Sequence, residues 1–124
     1  MGHKLKTSKQ TEMLIDRIET SENLPWYTLA RLAMALSIAQ GPLKESDFET
    51  DSAGKELNRY TVTGDEDIVY RCLVQMQEVR HLTDDEYFPL YIKAHLDRGS
   101  KLLDQEQRYS RDLLIQLISF NKGI

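Results

Sequence analysis

The sequence has little of several features that define specialised protein classes. It holds one cysteine, three prolines and six glycines among 124 residues. A single thiol excludes an internal disulfide framework and suits a reducing compartment. With 40 % apolar and 29 % charged residues, the composition is neither collagen-like nor typical of disordered chains. It predicts one folded domain over residues 1–124.

Long apolar runs are also missing. No run approaches the roughly 20 residues of a membrane-spanning helix. The first four residues, Met1 to Lys4, lack the apolar core of a signal peptide. We therefore expect a cytoplasmic protein without a membrane partner.

The charge is weakly negative and unevenly placed. A formal net charge of −4 argues against a bulk electrostatic attraction to nucleic acid. The first nine residues, however, hold Lys4, Lys6 and Lys9 and no acid. The densest acidic stretch, Glu45–Asp51, is interpreted as a solvated loop, with a Mg²⁺ or Ca²⁺ site as the alternative.

The sequence contains no recognisable catalytic motif. Cys72 lies in an apolar helical stretch, so we expect it to be buried and unreactive. His3, His81 and His95 are scattered and lack zinc-ligand spacing. Nucleophile elbows and glycine-rich phosphate or dinucleotide loops are absent. The sequence therefore predicts no catalytic residue, no metal and no cofactor.

Periodicity and capping signals predict a mainly α protein with two short strands and about five helices. We divide it into a strand-helix-helix segment (1–42), an acidic loop (43–56), a strand with helices (57–103) and a C-terminal tail helix (104–124). Thr7 is the predicted cap of the first helix, and Asn23 that of the second. Pro89 is expected in the first turn of a later helix or at a kink in it.

Two elements of the middle segment are specific enough to test. Residues 57–63 are rich in β-prone side chains and predict a strand ended by Gly64. Asp65 is the predicted cap of a third helix, which runs to about Arg80. Its expected buried face consists of Ile68, Val69, Leu73 and Met76.

The N-terminal segment carries the best binding signal. Alternation places Lys4 and Lys6 on one face of a short strand and Leu5 on the other. A lysine-bearing strand followed by two helices is the order of a ribbon-helix-helix DNA binder, in which strands of two chains pair and enter the major groove. The pattern equally allows an ordinary exposed strand with solubilising lysines.

Three stretches together resemble a known family, the DndE proteins of bacterial DNA phosphorothioation. They are His3–Ser8 with Ala30–Ser37, then Gly54–Asp65, and finally His95–Leu103 with its His-Leu-x-Arg-Gly pattern. The resemblance spans about residues 3–103. It implies a ribbon-helix-helix-like core, assembly into a homo-oligomer, described for the family as a tetramer, and no catalytic activity. It further implies a DNA-binding or scaffolding role on nicked duplex DNA, beside the subunits that perform the sulfur chemistry.

The residues that we expect to carry this role fall into two sets. The expected DNA contacts are Lys4, Lys6, Lys9 and Arg31, with a subunit contact to an acid as the alternative for Arg31. The expected structural or interface residues are Arg59, His95, Arg98 and Gly99.

Two other functions compete with the scaffold. One is a ribbon-helix-helix repressor or antitoxin, which would prefer one operator sequence. The other is a metal-dependent nuclease that uses the acids of Glu45–Asp51 or Asp65–Asp67.

Overall fold

The computed structural model describes residues 4–109, which are mainly helical with two short strands, as predicted, and the strands form one antiparallel sheet. In chain order the elements are β1 (Lys4–Lys6), α1 (Lys9–Glu22), α2 (Trp26–Gln40), β2 (Glu56–Asn58), α3 (Arg59–Thr63), α4 (Asp67–Glu78) and α5 (Ile92–Tyr109). Short 3₁₀ turns occupy Glu45–Phe48 and Gly64–Glu66. Within the described residues, none of these helices is apolar over a length that could cross a bilayer.

The ribbon is formed within one chain. β1 runs antiparallel to β2, and Leu5 lies opposite Leu57. Both leucines are buried, whereas Lys4 and Lys6 are exposed on the other face. Ribbon-helix-helix proteins pair strands from two chains. The expected ribbon-helix-helix core is therefore not confirmed, although the alternation along β1 is.

The first two helices occur where predicted, with their caps shifted along the chain. Ser8, not Thr7, caps α1, because its hydroxyl accepts the backbone N–H of Thr11 at 3.1 Å. Asn23 ends α1 in the left-handed conformation (φ 54°) instead of starting α2. The residue that precedes α2 is Pro25.

The core lies between α2 and the helices on either side of it. α5 packs directly on α2, and Leu29, Leu96 and Leu103 are fully buried there. Gly99 allows this approach, because a Cβ at its position would lie 1.9 Å from the carbonyl oxygen of Ala33. α1 packs against both α2 and α5.

The predicted strand over residues 57–63 is wrong after its second residue. Pairing ends at Asn58, whose side chain accepts the N–H of Thr61 at 2.8 Å and caps α3. Gly64 ends α3 at φ 58°. A local side-chain cap therefore overrides the β propensity of this stretch.

The predicted orientation of the third helix is also wrong. α4 begins at Asp67, two residues after the expected cap Asp65, and it buries Val74. The four residues expected inside are exposed, with Ile68 at 76 % and Met76 at 74 %. Cys72 is exposed with them, contrary to the expectation that it is buried.

Polar side chains explain how α4 attaches by its other face. The amide of Gln77 donates to the carbonyl oxygen of Ile38 in α2. Arg71 donates to the carbonyl oxygen of Leu82 at 2.6 Å. Periodicity identifies an apolar face, but it does not tell whether the same chain covers it.

The capping box before the last helix is as predicted. The Thr83 N–H donates to the Glu86 carboxylate at 2.9 Å, and the Glu86 N–H donates to the Thr83 hydroxyl at 3.2 Å. Phe88, before Pro89, has non-helical backbone angles (φ −129°, ψ 120°), which is the expected kink. α5 continues through residue 104 to Tyr109, and the remainder of the predicted tail helix lies outside the described residues.

Candidate nucleic-acid interface

The outer face of the ribbon presents two lysines around one acid. Lys4 Nζ lies 3.8 Å from the Glu56 carboxylate, and both side chains are mostly exposed. Lys6 stands directly opposite Glu56 in the strand register. The outer face of the ribbon is therefore a small, net positive surface on a short two-stranded element.

Lys9 extends this surface into the first turn of α1. Its Nζ lies 2.9 Å from the Glu12 carboxylate, and this hydrogen bond raises the pKa of Lys9. Its backbone N–H donates to Asp51 at 2.9 Å, which ties the start of α1 to the loop before β2. The three predicted lysines are thus close along the chain, and each stands beside or opposite an acid, Lys4 and Lys6 at Glu56 and Lys9 at Glu12.

Arg31 lies apart from the lysines, against α3. Its guanidinium donates to the carbonyl oxygens of Val62 (3.3 Å) and Thr61 (3.4 Å), at the negative end of that helix. A Cβ at Gly64 would lie 2.7 Å from Arg31 Nη2. None of the contacts among the described residues joins Arg31 to the three lysines.

Two exposed tyrosines flank Arg31 and were not predicted from the sequence. Tyr27, Arg31, Tyr60 and Thr61 line a surface hollow of about 240 Å³. The Arg31 guanidinium carbon lies 5.2 Å from the centre of the Tyr27 ring. Aromatic rings beside a guanidinium are the groups on which unpaired nucleobases stack. The helical i, i+4 spacing of Tyr27 and Arg31 was the available signal.

Arg59 links three elements through ion pairs. It donates to Asp67 at 2.8 Å and to Asp84 at 2.9 Å, and its guanidinium carbon lies 5.2 Å from the Tyr87 ring centre. The hydrogen bond to Asp67 raises the pKa of Arg59, and burial raises the pKa of Tyr87. Arg59 therefore joins α3, α4 and the segment before α5.

Arg98 satisfies the open end of α2. Nη2 donates to the carbonyl oxygens of Ser37 and Gly41, each at 2.6 Å, and Nη1 donates to that of Pro42 at 3.0 Å. Asp47 lies 3.4 Å from the same guanidinium. The Ser37 carbonyl is one of the last four of α2, which lack intrahelical donors, and the other two carbonyls belong to the loop that follows, so Arg98 ties the end of α2 to that loop.

His95 lies in the core beside α2. It is fully buried, and its Nδ1 lies 2.8 Å from the Ser37 hydroxyl. Its Nε2 has no hydrogen-bond partner among the described residues. Burial, together with the charge of Arg98, lowers the pKa of His95 to about 4. The ring is therefore neutral at neutral pH.

Asp97 is the residue that sequence reasoning missed. It is only 2 % exposed, and it accepts the backbone N–H of Ser8 at 3.1 Å and the Thr11 hydroxyl at 2.7 Å. Its second oxygen accepts from Thr50 at 2.6 Å and from Lys93 at 2.7 Å. The i, i+4 spacing of Lys93 and Asp97 was visible, but partners from two distant segments were not. This cluster fixes the junction between β1 and α1, and hence the lysines around it.

Two of the four acids of Glu45–Asp51, Asp47 and Asp51, have structural partners. Asp47 accepts the backbone N–H of Lys44 at 2.7 Å in addition to contacting Arg98. Asp51 accepts N–H groups from Ala53 and Lys9, which lower its pKa. Over residues 4–109, no three His, Cys, Asp or Glu side chains converge as metal ligands would.

Comparison with known proteins gives a consistent result. Residues 4–111 match the family model described as DNA sulphur modification protein DndE. No curated protein matches the sequence. The crystal structure of DndE from Escherichia coli B7A, involved in DNA phosphorothioation modification, superimposes with a TM-score of 0.67 at 18 % identity, covering 83 % of this chain and 97 % of that one. A DndE mutant involved in DNA phosphorothioation gives a TM-score of 0.60 at 18 % identity over 83 % and 98 % of the two chains.

At these identities the superpositions establish the fold, whereas the family follows from the matched family model. That match covers both lysines of the ribbon, the stretch around Arg59 and the stretch from His95 to Gly99. On this basis, the chain belongs to the DndE family of DNA sulphur modification proteins.

Proposed function

We propose that this chain is a non-catalytic subunit of a DNA phosphorothioation complex, which binds nicked duplex DNA and acts as a scaffold for partner subunits. The observation that carries the proposal is family membership combined with the exposed lysine face of the ribbon. The side chains of Lys4 and Lys6 take no part in the core, because Leu5 is the residue of β1 that is buried.

The exposed lysines favour binding to the phosphates of DNA over binding to its bases. Lysines make phosphate contacts, which hold a protein on duplex DNA without reading its sequence. Arg31 and the two tyrosines beside it supply a second surface, suited to a base freed from stacking at a nick. Both tyrosines are exposed in the single chain.

The net charge ties this function to assembly. A chain of formal charge −4 repels DNA unless its few cationic segments converge on one face. An oligomer that brings several ribbons together satisfies this condition. We therefore propose a homo-oligomer, with a tetramer of four 14.4 kDa chains as the expected mass.

The test is binding of the full chain to nicked, intact and single-stranded DNA of the same length, with mass measured by light scattering. We expect an oligomer that binds the nicked duplex best and releases it as salt rises. Equal affinity for nicked and intact duplex would contradict the proposed preference for nicked DNA. A footprint confined to one operator would instead favour a repressor.

A second assay addresses catalysis. The full chain is incubated with supercoiled plasmid in the presence of Mg²⁺ or Mn²⁺. We expect no conversion to nicked or linear forms. Conversion that is lost with chelator would contradict the non-catalytic assignment.

A further inference from the structure

Arg31 differs from the other arginines of residues 4–109, because no carboxylate there forms an ion pair with it. The others each pair with an acid, and they are Arg17, Arg59, Arg71, Arg80, Arg98 and Arg108. Arg31 is half-buried, and a guanidinium is always charged at neutral pH. It is therefore a partly desolvated positive charge that no described acid neutralises, which makes it a candidate for binding an anion.

Part of this guanidinium is free to donate to a ligand. Nε donates to the carbonyl oxygen of Val62 at 3.3 Å and Nη2 to that of Thr61 at 3.4 Å, both longer than a typical hydrogen bond. Nη1 has no hydrogen-bond partner in the described part of the chain. A guanidinium with donors to spare binds phosphate oxygens through parallel N–H bonds.

Gly64 keeps the guanidinium uncovered. A Cβ at that position would lie 2.7 Å from Nη2 and 3.7 Å from Nη1 of Arg31, so any larger side chain would cover both nitrogens. The acids that follow, Asp65 and Glu66, are exposed, and neither forms an ion pair with Arg31 among the described contacts. Asp65 instead accepts the hydroxyl of Tyr60 at 3.3 Å. The space in front of Arg31 is thus open to a ligand from solvent.

Tyr60 offers a stacking surface beside that space. It is 66 % exposed. It lines both the hollow of about 240 Å³ that holds Arg31, which we name the Arg31 hollow, and a second hollow of about 490 Å³. The Tyr27 ring already carries the Arg31 guanidinium, 5.2 Å from its centre. No ring or cation within residues 4–109 packs on the Tyr60 ring in this way. Tyr60 is therefore the ring on which a nucleobase can stack.

A cation for phosphate beside a free aromatic ring is what a nucleotide needs. Stacking on a protein ring requires a base that has left the stack of the double helix, and the cost is lower where the duplex is already interrupted. A strand end can also carry a phosphate monoester, whose charge is about −1.5 to −2 at neutral pH. Each phosphate within a strand carries a single negative charge. The unneutralised Arg31 therefore favours a strand end over the continuous backbone.

We propose that the Arg31 hollow binds the terminal nucleotide of a DNA strand at a nick, with the phosphate monoester on Arg31 and the base on Tyr60. This inference rests on the proposed binding of nicked duplex, and it names the part of the nick that is recognised. Phosphate contacts from the ribbon lysines position a duplex without distinguishing its strand ends. The two surfaces therefore make separable contributions to affinity.

The first test varies the DNA and uses the full wild-type chain. Nicked duplexes of one sequence carry hydroxyls on both sides of the nick, a phosphate on one side, a phosphate on the other side, or a phosphate next to an abasic site. We expect one phosphorylated nick to bind about tenfold more tightly than the hydroxyl nick. Its abasic counterpart is expected to lose about tenfold in affinity, because the stacked base is missing.

A competition assay distinguishes a strand end from a free nucleotide, which has the same chemistry. Adenosine monophosphate is added to the complex with the phosphorylated nick. We expect displacement only at millimolar nucleotide, because the free nucleotide lacks the phosphates that the ribbon lysines contact. Displacement at micromolar nucleotide would mean that the hollow is a site for free nucleotides, and it would overturn the proposal.

Variants of the full chain assign each preference to its residue. Arg31→Gln is expected to abolish the preference for phosphate and to retain that for the base, whereas Tyr60→Ala does the reverse. The matched controls are Arg108→Gln and Tyr109→Ala, which remove an exposed guanidinium and an exposed ring elsewhere and are expected to retain both preferences. Because Arg31 also holds the end of α3, a merely structural role would lower affinity for all the duplexes by the same factor.

The outcomes separate this inference from the function on which it rests. Equal affinity for phosphorylated and hydroxyl nicks would overturn the inference and leave the binding of nicked duplex in place. Absence of binding to every nicked duplex would overturn both. A phosphate preference that survives Arg31→Gln, or a base preference that survives Tyr60→Ala, would overturn the assignment to the Arg31 hollow.

Discussion

The two ribbon lysines give the sharpest test of the proposed DNA contact. Replacing Lys4 and Lys6 with alanine leaves Leu5 and its partner Leu57 in the core, so the ribbon is expected to fold. The only ion pair lost from the described contacts is Lys4 with Glu56, at 3.8 Å and mostly exposed. Such pairs contribute little to stability. A change in DNA affinity is therefore separable from a change in folding.

Counterion release sets how strongly the DNA affinity depends on salt. Each lysine–phosphate contact lowers the logarithm of the binding constant by about 0.9 per unit of log salt concentration. Between about 50 and about 200 mM salt, one contact accounts for about a 3.5-fold loss of affinity and two for about a 12-fold loss. For each chain that touches DNA, we expect the wild-type affinity to fall about 12-fold more over this range than that of the double variant.

The assay is fluorescence anisotropy with a labelled nicked duplex, repeated at several salt concentrations. Glu56→Gln removes the acid between the two lysines and is expected to tighten binding. Lys44→Ala is the matched control, since Lys44 is an exposed lysine beyond the far end of α2. A double variant with an unchanged salt slope, or a Lys44→Ala variant with an equal loss, would refute the assignment of the ribbon as the DNA contact.

Three further predictions concern the fold that holds this surface. Gly99→Ala is expected to lower the free energy of unfolding by about 2 kcal/mol in chemical denaturation, because a Cβ 1.9 Å from the Ala33 carbonyl oxygen would push α5 away from α2. This cost exceeds the gain in helix propensity from alanine. An unchanged denaturation midpoint would contradict the close packing of the two helices. Val79→Gly is expected to raise the free energy of unfolding by about 1 kcal/mol in the same denaturation assay, since a β-branched residue at φ 54° is strained. A lower free energy of unfolding would show that the Val79 side chain makes a stabilising contact. The pKa of His95 is lowered to about 4 in the folded protein, so the unfolded state takes up the proton first as pH falls. This difference removes about 2 kcal/mol from the free energy of unfolding between pH 7.5 and 5. His95→Gln should remove that part of the loss, and a variant with the same pH profile as the wild type would refute the role of His95.

The elements that were predictable from the sequence are those set by local signals. Alternation around Leu5 and the reciprocal bonds of Thr83 and Glu86 both act over a few residues. The cap of α1 was misplaced by one residue, because Thr7 and Ser8 are neighbouring hydroxyls and either can accept a backbone N–H. The cap of α2 was misplaced because Asn23 takes the left-handed conformation that ends α1, and α2 begins after Pro25 without a side-chain cap. Asn58 illustrates the same ambiguity, since its cap turned a β-prone stretch into α3.

The rest could not be predicted, because it depends on partners far apart in the chain. The buried face of α4 was chosen from periodicity, but α4 is held instead by Gln77, Arg71 and Val74 on its other side. Asp97 looked like one acid of a helical pair, and its contacts with Ser8 and Thr50 required the fold. Helical spacing identifies a face, and only tertiary structure identifies what meets it.

The stretch from His95 to Gly99 links residues remote from the ribbon to the position of the proposed DNA contact. Arg98 closes the end of α2, and Gly99 sets the distance between α5 and α2. Asp97, between His95 and these two residues, holds the backbone N–H of Ser8 at the point where β1 passes into α1. One turn of α5 therefore fixes both the core and the position of the lysine-bearing strand. Because two lysines on a three-residue strand have little area with which to hold their own orientation, a scaffold of this kind depends on the rigidity of that junction.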